Sequence, residues 1–357
     1  MPSACRIQRC SVTPLRAALV QPFRIAVGQH DTLDNVLFTL RLSDGTNGYG
    51  EAAVAPHITG ETVSQTTSHL KSVARSLIGT DPRDYLKISA QMHERLPCNM
   101  CAVAAVEMAL LDALTKTWKI PLWRLFGIKP HVLKSDITIV IGSLEETREK
   151  VKQFYQKGFR SFKVKIGKDM DFDEQRVRLV SCLAPRCAII LDANQAYSAD
   201  QSLKFLRSLK RAGIVPVVLE QPVAKNDWEG LKRVSRLAGV PVCADESVSS
   251  LAEAVRAIRE KAVPIINIKL MKTGIIHSRE IALLGRANGV RLMIGGMMET
   301  SLAMTASTHL AAGLGCFDFI DLDTPFFIRD GLKHNPYLSS SGTYNLSKVK
   351  QGIGIQP

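Results

Sequence analysis

The chain has 357 residues, 46% of them hydrophobic and 22% charged, enough for one large domain and a smaller one, with a composition unlike a disordered chain. No apolar run approaches the roughly 20 residues of a membrane helix, so no membrane partner is expected. The net charge of +13 is spread along the chain, with no dense basic run or interleaved aromatics. That argues against nucleic acid and suits a small anionic ligand. Residues 1–21 carry Arg6, Arg9 and Arg16 but no uninterrupted apolar core, a poor secretory signal. No acidic residue precedes Asp31, as in a transit peptide, but the alternation from Arg6 to Val12 reads as the first strand of a fold. Residues 36–42 and 49–53 flank Asp44-Gly45, a hairpin pattern. Helical patterns follow over 62–78, 82–96 and 100–118, with Asn99 placed to cap the last. Strands followed by helices predict an α+β domain over residues 1–130.

From residue 131 the pattern changes. Short apolar runs recur at 137–141, 162–166, 188–192, 217–220, 240–245, 265–270, 290–294 and 317–321. Their length and β-branched content suit buried strands. Segments of helical spacing lie between them: Val151, Phe154 and Tyr155 share a face, as do Leu203, Leu206 and Leu209, and Ala252, Val255 and Ile258. Eight strands joined through helical crossovers close into a parallel barrel over 131–323. Residues 324–357 are rich in Pro, Gly and Ser and show no amphipathic helix. The barrel therefore lacks its last outer helix, and the tail is expected to pack back on the first domain.

Eight cysteines are scattered along the chain, and only Cys98 and Cys101 form a C-x-x-C. Without a second pair this is a poor zinc site. Buried thiols in a reducing cytoplasm are the simpler reading.

Five successive barrel strands carry charge at their C-terminal ends: Lys163 and Lys165, then Asp192, Glu220, Asp245 and Lys269. From Lys165 onward the intervals are 27, 28, 25 and 24 residues. One aspartate after a strand is ordinarily a cap or turn residue. One such residue per repeat instead assembles a set at the rim where barrel enzymes keep their chemistry. Three carboxylates from adjacent strands repel unless a cation joins them, and an all-oxygen set suits Mg²⁺ better than zinc. Lys163 and Lys165, two apart on one strand, face the same space. A neighbouring ammonium favours proton loss from Lys165, which then serves as a general base. Lys269 faces it across the barrel. A substrate carboxylate at the metal would present its α-carbon to one lysine on each face. Abstraction of that α-proton builds enediolate charge, which a divalent cation and a lysine stabilise. Return of a proton from the opposite face inverts the carbon.

The stretches Phe162-Lys163-Val164-Lys165, Leu191-Asp192-Ala193-Asn194-Gln195, Glu220-Gln221-Pro222, Ala244-Asp245-Glu246-Ser247 and Asn267-Ile268-Lys269-Leu270-Met271-Lys272 resemble the enolase superfamily in its muconate-lactonizing subgroup. The resemblance runs from Pro22-Phe23 to Gly352-Ile353-Gly354. It implies an α+β capping domain on a (β/α)7β modified TIM barrel, catalytic Lys165 and Lys269, and one Mg²⁺ on Asp192, Glu220 and Asp245. Within the superfamily the sequence is most similar to dipeptide epimerases, through Asp321-Leu322-Asp323 at the end of the eighth strand. In those enzymes the equivalent aspartates bind the free ammonium of the dipeptide. Thr138 and Lys163 then contact substrate, and the loop with Gly296 and Met298 approaches it through its backbone. The implied partner is a small dipeptide, with self-association left open.

The resemblance stops at one position. Glutamate-selective members carry an arginine five residues after the Pro-Phe, which falls here on Gly28; Arg24 is adjacent to Phe23. Hydrophobic and other side chains therefore remain open. The loops 23–31 and 54–61 are expected to choose among them, with His57 as a candidate. Cycloisomerisation, o-succinylbenzoate synthesis and N-acylamino acid racemisation use the same lysines and metal, and only Asp321 and Asp323 argue for a free amine. A non-catalytic metal-binding scaffold is the alternative outside enzymes.

Overall fold

A computed structural model describes residues 5–333 and 335–357; the first four residues of the 1–21 stretch lie outside the described set. Strands β1 (Ile7–Ile25), β2 (Gly28–Leu42) and β3 (Asn47–Ala52) form an antiparallel sheet in that order. β1 runs far beyond the predicted Val12 and carries Pro14 opposite Val36. Because β1 is an edge strand, a residue without an N–H is tolerated there. Between Ala18 and Phe23 the ladder slips: five steps on β1 oppose two on β2. In this bulge Val20 N donates to Phe327 O at 2.8 Å and Leu19 bridges Ile328. Pairing resumes at Phe23–His30 and turns at residues 26–27. The hairpin tip reaches the barrel, where Ile141 N donates to Arg24 O at 3.1 Å.

Helices α1 (Pro56–Thr59), α2 (Val63–Leu77), α3 (Tyr85–Arg95) and α4 (Met100–Thr117) complete this part. α4 is buried from Cys101 to Thr115, which is why its sequence is apolar on every face. A Cβ on Gly50 would lie 1.9 Å from Ala105 O, so β3 can lie flat on α4 only with glycine there. Asn99 precedes α4 but does not cap it with its side chain. Its Nδ2 instead donates to Glu61 Oε1 and Thr66 Oγ1, at 3.1 and 3.0 Å.

After β4 (Leu133–Lys134), eight strands alternate with seven helices: β5 (Ile137–Ile139), α5 (Leu144–Gln156), β6 (Ser161–Lys165), α6 (Met170–Leu183), β7 (Ala188–Asp192), α7 (Ala199–Arg211), β8 (Val218–Glu220), α8 (Trp228–Leu237), β9 (Val242–Ala244), α9 (Leu251–Arg259), β10 (Ile265–Lys269), α10 (Leu270–Ala287), β11 (Arg291–Gly295), α11 (Ser301–Leu314) and β12 (Phe319–Ile320). The strands pair in sequence order and in parallel. Asp136 N donates to Ile320 O at 2.8 Å, joining the first strand to the last. This is the (β/α)7β arrangement. Ser143 and Ser198 cap α5 and α7 through capping boxes. α9 packs through Ala254 and Ala257, whereas Val255 is 44% exposed.

Ile190, Val218, Cys243, Ile265 and Met293 fill the barrel's interior. A separate core joins cap to barrel, with Leu40, Ala105 and Leu110 packed in one cluster with Met271, Ile275 and Met297. Beyond β12 the described tail holds a 3-10 turn at Thr324–Phe326 and β13 (Thr343–Tyr344), which pairs with β4. Ile353 N donates to Asp112 Oδ1 of α4 at 2.8 Å. All eight thiols are free; Cys101 and Cys243 are buried, while Cys98 and Cys182 are exposed. The expectation of buried thiols therefore holds for two of them, since the others sit on strand edges, helix ends and loops.

Candidate active site

One cavity opens at the C-terminal ends of the barrel strands, beneath the β1–β2 tip. It is lined by Thr138, Lys163, Lys165, Lys269, Gly296, Met298, Asp321 and Asp323. Every residue predicted to touch substrate at the rim, and both predicted bases, thus share one space. Asp192, Glu220 and Asp245 lie against these lysines from below and are fully buried. Lys165 Nζ is 2.6 Å from Asp192 Oδ2. Lys163 Nζ reaches Asp192 Oδ2 at 3.0 Å, Glu220 Oε2 at 2.7 Å and Asp321 Oδ2 at 2.6 Å. Lys269 and Lys272 hold the two oxygens of Asp245 at 2.6 and 2.7 Å.

Strand order gives the site its compass. β6 with Lys165 and β10 with Lys269 are four steps apart in a ring of eight, so the two lysines face each other. Asp192, Glu220 and Asp245 stand at the ends of β7, β8 and β9, on one arc between them. Asp321 and Asp323 follow β12, on the opposite arc.

Charge and burial compete throughout. Burial opposes the Lys163 ammonium, but Asp192, Asp321 and Glu220 outweigh it and raise its pKa well above the usual value. Burial opposes the Lys269 charge too, and Asp245 reverses that, raising the pKa. Asp192 is desolvated, yet Lys163 and Lys165 bring it down to about 2. Glu220 goes the other way, to about 8, through burial and the nearby charge of Asp192.

The oxygen chemistry of this arc fits a hard divalent cation. Glu246 Oε2, Asn194 Oδ1 and Asn267 Oδ1 are buried acceptors without a hydrogen bond, Glu220 Oε2 is paired with the Lys163 ammonium, and no thiolate or imidazole joins Asp192, Glu220 and Asp245 in the contacts described. Buried acceptors left so are costly unless a cation or donor serves them. Among the described residues, however, the three acidic side chains that come closest to one point are Asp136, Asp321 and Asp323, each with an oxygen within 4.8 Å of the others. Lys163 bridges Asp192 to Glu220 instead. In strand order both arcs lie midway between the two lysines; the first carries the larger oxygen set, with Asn194, Glu246 and Asn267 beside its three carboxylates.

Towards the cap the cavity wall is apolar: Phe23, Ile25, Ala55, Ile58 and Met297, with His30 as the one imidazole. Arg24 does not line it. Its guanidinium goes to Gln29 Oε1 and Glu146 Oε1, at 3.2 and 3.3 Å. Gly28 and His57 do not line it either. They pack together, so that a Cβ on Gly28 would lie 2.5 Å from His57 Cδ2. His30 was not singled out by sequence; its place opposite Phe23 in the ladder depends on the bulge in β1.

Other contributors were also missed. Asn35 Nδ2 donates to Met298 O at 2.8 Å and to Glu51 Oε1 at 2.7 Å. Glu51 accepts the amide of Thr300 at 2.9 Å. The cap sheet thereby fixes the 295–299 loop at the cavity edge. Buried charge on a cap strand was the available signal, since Glu51 is fully buried.

Residues 9–127 match the family model described as "Mandelate racemase / muconate lactonizing enzyme, N-terminal domain", and residues 146–357 match "Enolase C-terminal domain-like". A hydrophobic dipeptide epimerase of Citrifermentans bemidjiense is 48% identical over 99% of this chain and 98% of its own length. A mandelate racemase/muconate lactonizing protein structure from Herpetosiphon aurantiacus superposes with a TM-score of 0.93 at 37% identity, covering 98% of both chains. The dipeptide epimerase of Enterococcus faecalis, solved with Mg and the dipeptide L-Leu-L-Tyr, superposes with a TM-score of 0.92 at 29% identity, covering 99% of this chain and 100% of that one. Two domain models spanning most of the chain and a full-length relative lead to one conclusion: this chain belongs to the mandelate racemase/muconate lactonizing enzyme family of the enolase superfamily.

Proposed function

We propose that this chain is a Mg²⁺-dependent dipeptide epimerase, an isomerase that inverts the α-carbon of the C-terminal residue of a dipeptide with a free N-terminal amine and a hydrophobic C-terminal side chain. The observation that carries the reading is the arrangement around one cavity: facing lysines, Asp321–Asp323 on one side, and on the other an acidic oxygen arc buried against the lysines. The resemblance to epimerases named for dipeptides supports it.

Asp192, Glu220 and Asp245 would hold the Mg²⁺. Bound there, the ion would neutralise the substrate carboxylate and the charge that grows on it as the α-proton leaves. The substrate ammonium goes to Asp321 and Asp323, which stretches the dipeptide across the barrel and sets its α-carbon between Lys165 and Lys269. Lys165 removes the proton from one face, and Lys269 delivers one to the other. Run backwards, the roles exchange, so both isomers are substrates. The Lys163 ammonium, fixed by three carboxylates, supplies positive charge without moving a proton. Thr138 and the Gly296–Met298 edge bound the backbone of the substrate. Phe23, Ile25, Ile58 and Met298 surround its side chain, and among the described residues no cationic group of the cap lines that part to receive a carboxylate.

We take residues 1–130 as the capping unit, 131–323 as the barrel and 324–357 as the tail. Eight free thiols suit action in the reducing cytoplasm, on a small molecule and not on nucleic acid or a membrane. The test is a dipeptide library incubated with the enzyme and Mg²⁺ in deuterated buffer and read by mass spectrometry. Exchange is expected at the C-terminal residue, strongest for hydrophobic side chains. Exchange confined to N-acylated amino acids would overturn the reading.

A further inference from the structure

Beneath the ammonium subsite lies a third carboxyl group that the reaction as described does not use. Asp136 precedes β5 and, two residues before Thr138, faces the barrel interior one layer deeper. Its backbone N–H bonds Ile320 O at 2.8 Å, which sets it beside the strand that leads to Asp321. It is 2% exposed, and neither of its carboxylate oxygens receives a hydrogen bond. One of its oxygens lies within 4.8 Å of an oxygen of Asp321 and of an oxygen of Asp323. The partners of that pair are elsewhere: Lys163 Nζ on Asp321 Oδ2 at 2.6 Å and Thr138 N on Asp323 Oδ2 at 2.6 Å.

Three buried carboxylates this close cannot all stay charged around one ammonium that also serves Asp192 and Glu220. The group with no donor of its own is the one that keeps a proton at least cost. Burial, then Asp321 and Asp323, push the Asp136 carboxyl well above the usual range.

Resting on the epimerase reading, we propose that Asp136 is a positioning residue: its carboxyl donates a hydrogen bond into the Asp321–Asp323 pair from below. The donated bond fixes the spacing of the pair and lowers its charge so that it receives one substrate ammonium. Asp136 touches no substrate and moves no proton in turnover.

Two measurements on the full-length Mg²⁺ enzyme decide this. The first needs no substrate: the infrared difference between wild type and Asp136→Asn at neutral pH. A protonated-carboxyl carbonyl band is expected in the wild type and lost in the variant; loss of carboxylate bands alone overturns the proposal. The second compares L-Ala-L-Leu with its N-acetyl form. Asp136→Asn retains a donor and should keep kcat/KM for the free dipeptide within about threefold, whereas Asp136→Leu should raise KM at least about tenfold with kcat little changed. The free-to-acetylated ratio should fall with it. An Asn variant as impaired as the Leu variant, or equal losses on both substrates, refutes a positioning role. Should the Leu variant not fold, the Asn variant and the infrared band still decide. Equal wild-type efficiency on both substrates would defeat the amine reading by itself, and the band would still report on the Asp136 proton.

Discussion

The barrel rim and the cap mouth meet over one cavity but are built on different principles. At the rim, Lys163, Lys165 and Lys269 are each fixed by a buried carboxylate at 2.6 Å. At the mouth, Phe23, Ile25 and Ile58 enclose space with apolar surface, and the charged Arg24 is turned aside to Gln29 and Glu146. Pre-set charges at the rim act on charge that develops during reaction, which is where rate is gained. Apolar surface at the mouth discriminates only by shape and burial, about 1–3 kcal/mol per methylene-sized change. Rim substitutions should therefore change the chemistry, and mouth substitutions the choice of side chain.

The largest effects should come from the rim. Chelation is expected to reduce epimerisation to background, and Mg²⁺ to restore it; full turnover of metal-free protein would break the assignment of the Asp192, Glu220 and Asp245 arc. Lys165→Ala and Lys269→Ala should each lower epimerisation by about 10²–10⁴-fold, the range for one acid–base group. Each variant should still exchange the α-proton of one isomer in deuterated buffer, and opposite isomers for the two variants. Native rates of interconversion in either variant would remove the two-base scheme.

The ammonium subsite comes next. Charge-assisted hydrogen bonds are worth roughly 1.5–3 kcal/mol each, so N-acetylation should lower kcat/KM by at least about 10²-fold if both aspartate contacts are lost. Asp321→Asn should reduce efficiency on the free dipeptide far more than on the acetylated one. If the two substrates fall equally, the pair does not read the amine.

The mouth offers a smaller and sharper test. Gly28 does not have a left-handed backbone, and the obstacle to a side chain there is His57, 2.5 Å from an added Cβ. Gly28→Arg alone should therefore lose efficiency on every dipeptide. Combined with His57→Gly, which vacates that space, it should move the preference from hydrophobic towards acidic C-terminal residues by about tenfold, one ion-pair's worth. An unchanged preference in the double variant would mean that the mouth does not select the side chain.

What sequence could reveal divides along the same line. The rim is legible because barrel periodicity puts one charged residue per repeat at the same level, and a buried charge on an apolar strand stands out. The mouth depends on the register of β1 against β2, which slips between Ala18 and Phe23. No periodicity announces that slip, so His30 was missed and β1 was expected to end near Val12. Asn99 stands at the N-cap of α4 as expected, but its side chain is drawn away by Glu61 and Thr66, partners 38 and 33 residues distant. Asp136, Glu51 and Asn35 were invisible for the same reason: their meaning lies in neighbours that only the fold supplies.

The last effect concerns neither region and separates loss of fold from loss of chemistry. His309 of α11 is buried; its Nδ1 accepts the amide of Trp123 at 3.0 Å, and its Nε2 pairs with Ile353 O at 2.9 Å. Burial lowers its pKa to about 4, against the partial support of Ile353 O. A proton on Nδ1 would face an N–H donor. Below pH 6.5 the unfolded chain therefore binds a proton that the folded one refuses until about pH 4. Stability should fall through that window as pH drops, by at most about 1.4 kcal/mol per unit and about 3 kcal/mol in all. Buried acids such as Glu299, raised to about 8 by burial, contribute with the opposite sign, since they favour the folded state as pH falls. The measurement must therefore be a difference: urea unfolding of wild type and His309→Gln at several values between pH 4.5 and 7. The variant should be less stable at neutral pH yet lose less on acidification. Parallel curves would show that His309 is not the group that titrates, and any acid loss of activity at constant stability would then belong to the rim.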